Sequence, residues 1–337
     1  MREARFWKEL PGQKVQCRLC RFFCVIEAGG RGRCGVRKNR DGKLYSLVYG
    51  RAVAENIDPI EKKPLFHFFP GSRSYSIATA GCNFRCLHCQ NYQISQAAGF
   101  DLERSGFSLS PAAAVERAAA AACTSISYTY TEPTVYFEYA LDMATLARKK
   151  GIRNVFVTNG YTASEALETI APFLDAANVD LKGFREDFYR EVTGAGLKGV
   201  LDTLLLYKKL GIWLEVTTLV IPGCNDSDEE LRDIAGFIAG ELDRNVPWHI
   251  TAFYPTYKML DRPRTPAATL RKGREIGLQA GLHHVYVGNI PGEEGESTFC
   301  PGCGAKVIDR SGFFLRDTRL KDGVCELCGE KLAGIWK

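Results

Sequence analysis

The chain has 337 residues, 45% of them hydrophobic, and a net charge of +5. That is enough for one large α/β domain with small appendages. No apolar run approaches the roughly 18 residues of a membrane span, and the opening Met1-Arg2-Glu3-Ala4-Arg5-Phe6-Trp7 has no apolar stretch of the signal-peptide kind. Thirteen cysteines in such a chain argue for metal ligands over disulfides, and for a reducing, oxygen-poor cytoplasm. The charge is uneven: residues 1–73 carry 16 Lys and Arg against 7 Asp and Glu, and the remainder 28 against 32. A solvated basic surface accounts for this ahead of a nucleic-acid footprint, and metal-bound thiolates would reduce it.

In chain order, the first feature is Cys17-x2-Cys20-x3-Cys24-x9-Cys34, set among the glycines of Gly29–Gly35. Four thiolates among turn-formers can close a tetrahedral zinc site, the first reading here, or hold an auxiliary [4Fe–4S] cluster. A β-rich connector follows, with a strand Leu44–Tyr49 after an Asp41-Gly42 turn. The proline-broken run Asp58–Pro64 then leads to His67, expected to be a structural imidazole.

Beyond Tyr75 strands and helices alternate. The predicted strands are Tyr75–Thr79, Ser125–Tyr130, Asn154–Thr158, Ala177–Leu181, Ile212–Ile221 and Trp248–Tyr254, with a last one at His284–Val287. The helices open at Ser110-Pro111, after Pro133, near Ser164, at Leu197, near Ser227 and at Pro266; Gly151 and Gly281 stop two of them. Six βα units predict parallel strands with right-handed crossovers. They are too few for a closed eight-fold barrel, so a partial (βα)6 TIM-like barrel is expected, and a doubly wound sheet is the alternative. The tail carries Cys300-x2-Cys303 and Cys325-x2-Cys328, paired knuckles of a zinc-ribbon or rubredoxin-like module that binds zinc or iron. The domains expected are 1–73, 74–290 and 291–337.

The central loop is Cys82-x3-Cys86-x2-Cys89, after the first predicted strand. Three thiolates leave one iron of a [4Fe–4S] cluster open, whereas a closed site takes four. A zinc loop borrowing His88, or three buried thiols, is the plainer account. Polar residues also recur at successive strand ends: Thr129–Thr134, Thr158-Asn159-Gly160, Asp180–Gly183, Glu215 with Thr217 and Thr218, and His249 with Thr251.

The C-x3-C-x2-C loop resembles the signature of the radical S-adenosylmethionine (SAM) superfamily. Asp180-Leu181-Lys182, Val192-Thr193-Gly194, Thr158-Asn159-Gly160 and Ile221-Pro222-Gly223 resemble pyruvate formate-lyase-activating enzymes. Nearly the whole chain resembles the radical SAM enzymes of the AmmeMemoRadiSam system, through the Cys17–Cys34 set, Asp58–Leu65, Gly81–Gln93, Tyr130–Thr134, Glu215–Gly223 and the Cys300–Cys328 knuckles.

The resemblance implies a radical SAM fold with Cys-rich modules at both ends. It implies a cluster on Cys82, Cys86 and Cys89, and SAM bound at its open iron and cleaved reductively to a 5′-deoxyadenosyl radical. His88 would neighbour the adenine. The family's Gly-Gly-Glu segment maps to Tyr130-Thr131-Glu132, where both glycines are missing and Glu132 alone carries over. Asn159, Asp180 and Lys182 would meet the ribose and carboxylate of SAM, and Glu215, Thr217 and His249 would face SAM or substrate. The substrate is open: a protein, metabolite or RNA, or a glycyl-radical enzyme if the chain is an activase. Flavodoxin or ferredoxin would be the reductant, and AMMECR-type and Memo-type proteins the partners. A non-enzymatic zinc protein that binds nucleic acid is the alternative from another class.

Overall fold

The structure, a computed structural model, describes residues 1–96, 105–290 and 292–337. Pro291, where the C-terminal module is expected to begin, lies outside the described residues. By contact density the chain divides into two units: Met1–Asp58 with Arg73–Ala177, and Pro59–Ser72 with Asn178–Lys337.

The first unit begins with short antiparallel pairings. Trp7–Leu10 pairs with Lys14–Cys17, and Arg37–Arg40 with Lys43–Ser46. The second hairpin turns at Asp41 and Gly42, with φ of 51° and 81°. Two successive positive φ values are what an Asp-Gly hairpin turn requires. Three parallel strands follow: β1 (Arg73–Ala78), β2 (Ser125–Tyr128) and β3 (Arg153–Thr158). β2 is central, with Ile126 opposite Tyr75 of β1 and Asn154 of β3. Every residue of β2 is buried, as expected of parallel strands covered on both faces. Its serines remain satisfied, because Ser74 Oγ lies 2.6 Å from Ser127 Oγ and accepts from Ser125 Oγ at 2.9 Å.

Helix α1 (Pro111–Ala120) is capped by Ser110, whose Oγ accepts from the Ala113 N–H. The helix expected after Pro133 starts as a 3₁₀ turn, Pro133–Tyr136, before α2 (Phe137–Lys149). The cause is local: the Glu132 carboxylate accepts the Thr134 N–H and fixes a tighter first turn. Helix α3 (Ser164–Ile170) closes the series, and strand β4 (Ala176–Asp180) carries the chain from the first unit into the second.

In the second unit, α4 (Leu197–Lys209), β5 (Trp213–Val220), α5 (Asp228–Phe237), β6 (Trp248–Ala252), α6 (Ala267–Gln279) and β7 (Val285–Gly288) alternate. β6 pairs in parallel with both β5 and β7. Gly277 lets α6 lie directly on these strands, since a Cβ there would come within 2.8 Å of Val285 and 3.0 Å of the Trp248 ring. Segment Pro59–Ser72 threads through this unit and is bonded to its distant parts. His67 accepts from the Ile335 N–H and Phe69 donates to the Ile335 carbonyl, both at 2.7 Å.

The tail forms an antiparallel sheet of Thr298–Phe299, Lys306–Ser311 and Phe314–Thr318. Its core is small: Cys300, Val307, Cys325 and Leu332, with Leu320 and Trp336 against them. Such a core is below what a module can use to fold alone, so a metal is the expected staple. Among the described residues no helix is long and apolar enough to cross a membrane.

Candidate active site

β1 ends at Ala78 and runs directly into the loop with Cys82, Cys86 and Cys89. Burial pushes the Cys82 thiol well above its ordinary pKa, and Glu132, Cys86 and Cys89 add to the rise as nearby negative charges. Cys82 Sγ is 3.8 Å from both Asn83 Oδ1 and Asn159 Nδ2, and Cys89 Sγ is 3.1 Å from Ser95 Oγ. Asn83 is fully buried and its Nδ2 has no hydrogen-bond partner. Three soft thiolates beside a spare buried N–H suit a sulfur-rich anionic group, because N–H donors to cluster sulfurs are a usual feature of iron–sulfur sites. His88, on the same loop, is buried.

Glu132 and Asn159 stand behind this loop, placed by the ends of β2 and β3. Glu132 Oε1 accepts from Thr134 N (3.0 Å), Thr134 Oγ1 (2.6 Å) and Thr158 Oγ1 (2.8 Å), while Oε2 accepts from Asn159 N (2.8 Å). Burial raises the Glu132 pKa and these donors oppose the rise. Asn159 Nδ2 donates to Asn83 Oδ1 at 2.7 Å. The carboxylate thus fixes the Asn159 backbone, and Asn159 fixes Asn83 next to Cys82. Asn83 carries no sequence signal of its own, since its partner is 76 residues away.

The Cys17–Cys34 module packs on the same loop. Arg33 Nε donates to the Asn83 carbonyl at 3.1 Å, and Arg85 donates to the carbonyls of Cys82, Phe84 and Arg33. Gly81 has φ 99°, and a Cβ there would lie 2.5 Å from Val36 Cγ1 and 3.0 Å from the Cys34 carbonyl. Cys20 forms a β-bridge with Thr162, flanked by hydrogen bonds from Arg21 N to Tyr161 O and from Ala163 N to Leu19 O. Burial raises the Cys17 thiol to about 11, opposed by Arg37 and reinforced by Cys34 and Cys24.

The other candidate residues belong to the second unit. Lys182 Nζ and Asp180 Oδ2 pair at 2.7 Å just past β4. Asn225, which the sequence reading missed, donates to the carbonyls of Lys182 and Leu219 and accepts from Ile221 N, ordering the Ile221–Gly223 turn. Thr217 is buried and its Oγ1 has no partner.

Glu215 accepts four hydrogen bonds, from Phe66 N, His67 N, Trp213 Nε1 and His249 Nε2. Glu215 and His249 sit near the N-terminal ends of β5 and β6, whereas active sites of parallel α/β folds lie at the carboxyl ends. Around this pair, His67 bonds Tyr286 Oη and the Ala333 carbonyl. Arg310 bonds Thr298 and the Phe66 carbonyl and faces Glu61 at 3.7 Å, both side chains wholly buried. His67 is therefore a structural imidazole, as expected.

In the tail, the sulfurs of Cys300, Cys303, Cys325 and Cys328 all lie within 4.8 Å of one another. Two pairs stand 3.5 and 3.9 Å apart. Four ligands at about 2.3 Å from one ion would be separated by about 3.8 Å, the edge of a tetrahedron.

Parallel βα units with a three-cysteine loop directly after the first strand form an α/β fold of the kind radical SAM proteins share. The chain belongs to the radical SAM superfamily, whose model matches residues 76–238. It is 46% identical over 334 residues to an uncharacterized protein of Methanocaldococcus jannaschii, covering 98% of this chain and 99% of the relative. It is 25% identical over 184 residues to the pyruvate formate-lyase-activating enzyme of Clostridium pasteurianum, covering 53% of this chain and 76% of that one. A radical SAM methyltransferase from Sphaerobacter thermophilus matches with a TM-score of 0.51 at 16% identity, over 65% of this chain and 67% of that one, which bears on the fold alone. The α/β fold of the radical SAM type with a Cys-rich C-terminal module is thus the fold observed.

Proposed function

We propose that the chain cleaves SAM reductively and uses the resulting radical to take hydrogen from a substrate. The observation that carries this reading is the three-cysteine loop with the Asn83 and Asn159 amides beside Cys82. Cys82, Cys86 and Cys89 would hold a [4Fe–4S] cluster, and such a cluster, once reduced by an external donor, would supply the electron for cleavage of SAM to methionine and a 5′-deoxyadenosyl radical. Asn159, Asp180 and Lys182 are assigned to the ribose and carboxylate of SAM, His88 to its adenine, and Thr217 to SAM or substrate. Glu132 serves through Asn159. Glu215 and His249 brace the backbone of Phe66 and His67. Excluding water from this loop protects a reactive radical, and burial of Asn83, Phe84 and Cys86 serves that end.

The tail quartet takes a single tetrahedral ion, zinc or iron, with a folding role. Relatives named as a pyruvate formate-lyase-activating enzyme and as a putative glycyl-radical enzyme activating enzyme favour an activase as the second reading. Membership of the AmmeMemoRadiSam system would bring AMMECR-type and Memo-type partners and a flavodoxin or ferredoxin reductant.

The test is anaerobic reconstitution, reduction and addition of SAM, with 5′-deoxyadenosine as the readout. Cys82→Ala, Cys86→Ala and Cys89→Ala should each abolish it; retained cleavage in the folded triple variant would sink the proposal. An activase needs a glycyl-radical enzyme to act on, so a source genome without one excludes that reading.

A further inference from the structure

Tyr130, two residues beyond the end of β2, holds a backbone conformation that its side chain disfavours. Its φ is 63°, and the Thr131 N–H donates to the Thr129 carbonyl at 2.7 Å, so Tyr130 is the centre of a three-residue turn. Such turns with a positive central φ are rare and strained, and a glycine would form one without steric cost. Strain of this kind persists only where the surroundings impose it.

Two contacts impose it. On the side-chain side, Tyr130 Oη donates to Asp58 Oδ2 at 2.5 Å, and Asp58 is buried. A hydroxyl given to a carboxylate is among the stronger hydrogen bonds. On the backbone side, the Tyr130 carbonyl accepts from Asn91 Nδ2 at 2.8 Å. The Asn91 carbonyl in turn accepts the N–H groups of Ile94 (3.1 Å) and Ser95 (2.9 Å), and the Ile94 carbonyl accepts from Gly81 N at 2.9 Å. Ser95 Oγ lies 3.1 Å from Cys89 Sγ. Gly81 precedes the first of the three cysteines and Ser95 follows the last, so this short turn fastens both ends of their loop.

We infer that Tyr130 is a positioning residue for SAM cleavage: Asp58 holds its turn, and the turn holds, through Asn91, the two ends of the three-cysteine loop. The consequence for SAM rests on the reading of that loop as the cluster site. The anchoring itself stands on the hydrogen bonds alone.

The experiment uses the full chain as wild type, Tyr130→Phe and Tyr130→Gly, reconstituted anaerobically with iron and sulfide. Phenylalanine keeps the ring and the strain but loses the tether, so the turn relaxes and Asn91 loses its acceptor. Glycine loses the ring but needs no tether. The SAM concentration that half-saturates the change in the cluster EPR signal should rise about 5- to 150-fold in Tyr130→Phe, and less in Tyr130→Gly. A ring that serves packing alone gives the opposite order, which overturns the inference. Hydrogen exchange before SAM is added reads the anchoring by itself. The Gly81, Ile94 and Ser95 amides should exchange about 5- to 150-fold faster in Tyr130→Phe while α1 and α2 keep their protection. Unchanged exchange at these three amides overturns the inference whatever the SAM response. A wild-type chain with no SAM response refutes the cluster reading instead, and leaves the exchange decisive for the anchor. Should α1 and α2 lose protection as well, Tyr130→Phe has not folded, and Asn91→Ala, which removes the same bond from the loop side, takes its place with the same exchange expected.

Discussion

Replacing Glu132 by Gln separates two roles for the residue, contact with SAM and support of Asn159. Its Oε1 receives three donors, two of them hydroxyls or amide of Thr134, and its Oε2 receives the Asn159 N–H alone. The amide oxygen of a glutamine is therefore best placed at the Oε1 position, which turns its NH2 toward the Asn159 N–H. One buried hydrogen bond is lost and a buried donor is left unsatisfied, at a cost of about 1–3 kcal/mol. If that cost falls on local opening, the Asn159 amide should exchange about 5- to 150-fold faster in Glu132→Gln. Hydrogen exchange over β3 and the following loop measures it. Since Asn159 Nδ2 also holds Asn83 beside Cys82, the EPR response to SAM should weaken in the same variant. Unchanged exchange at Asn159 together with lost SAM binding would refute the supporting role and make Glu132 a direct contact.

Gly81→Ala should destabilise the first unit, by about 1–3 kcal/mol for the backbone at φ 99° and a similar amount for overlap with Val36. Adding Val36→Ala should recover only the overlap part, and full recovery in a denaturation assay would show that the backbone is unstrained. Arg310→Met leaves the wholly buried Glu61 carboxylate without its cation, which should cost about 3–5 kcal/mol. Adding Glu61→Gln should restore part of it, and strictly additive losses in urea would count against the pairing. Burial, with His283 adding to it, lowers the His284 pKa from 6.5 to about 3, so the folded state keeps this ring neutral while the unfolded chain protonates it. Its contribution is therefore complete above pH 6.5 and falls by about 1.4 kcal/mol per pH unit as the pH drops toward 3. Urea unfolding at about pH 7.5 and about pH 5.5 should show a shallower loss in His284→Leu, and equal slopes would exclude the effect.

Most of the βα series was legible because its signals are local. Ser110-Pro111 and Ser227 cap helices as their side chains dictate, and Gly151 and Gly281 take positive φ after two others. Element ends differ from expectation by a residue or two where caps and strand ends fray. The three-cysteine loop was legible for the same reason, as eight consecutive positions. What could not be read was height along a strand. Alternation places Glu215 and Thr217 on one face of β5, but whether a polar residue belongs to the mouth or the base depends on where the strand begins. The donors to Glu215 from Phe66 and His67 lie 149 and 148 residues away, and no spacing rule spans that distance. Asn83 and Arg33 were invisible for the same cause, since their importance arises only when the N-terminal module packs on the loop.

Segment Pro59–Ser72 also sets a clock. The carbonyl that receives the His67 ring belongs to Ala333, 266 residues further on. At about 5–20 residues per second, a ribosome needs roughly 13–53 s to make that partner after His67 appears. During this interval Phe66, Phe68 and Phe69 have left the exit tunnel with their eventual neighbours unmade, while the hairpins and first strands around them can already form. The nascent chain therefore carries an apolar, aromatic strand of sequence in waiting, the sort of segment that chaperones bind. A synonymous change that slows translation of the tail would lengthen this exposure and raise aggregation without altering a single residue of the finished protein.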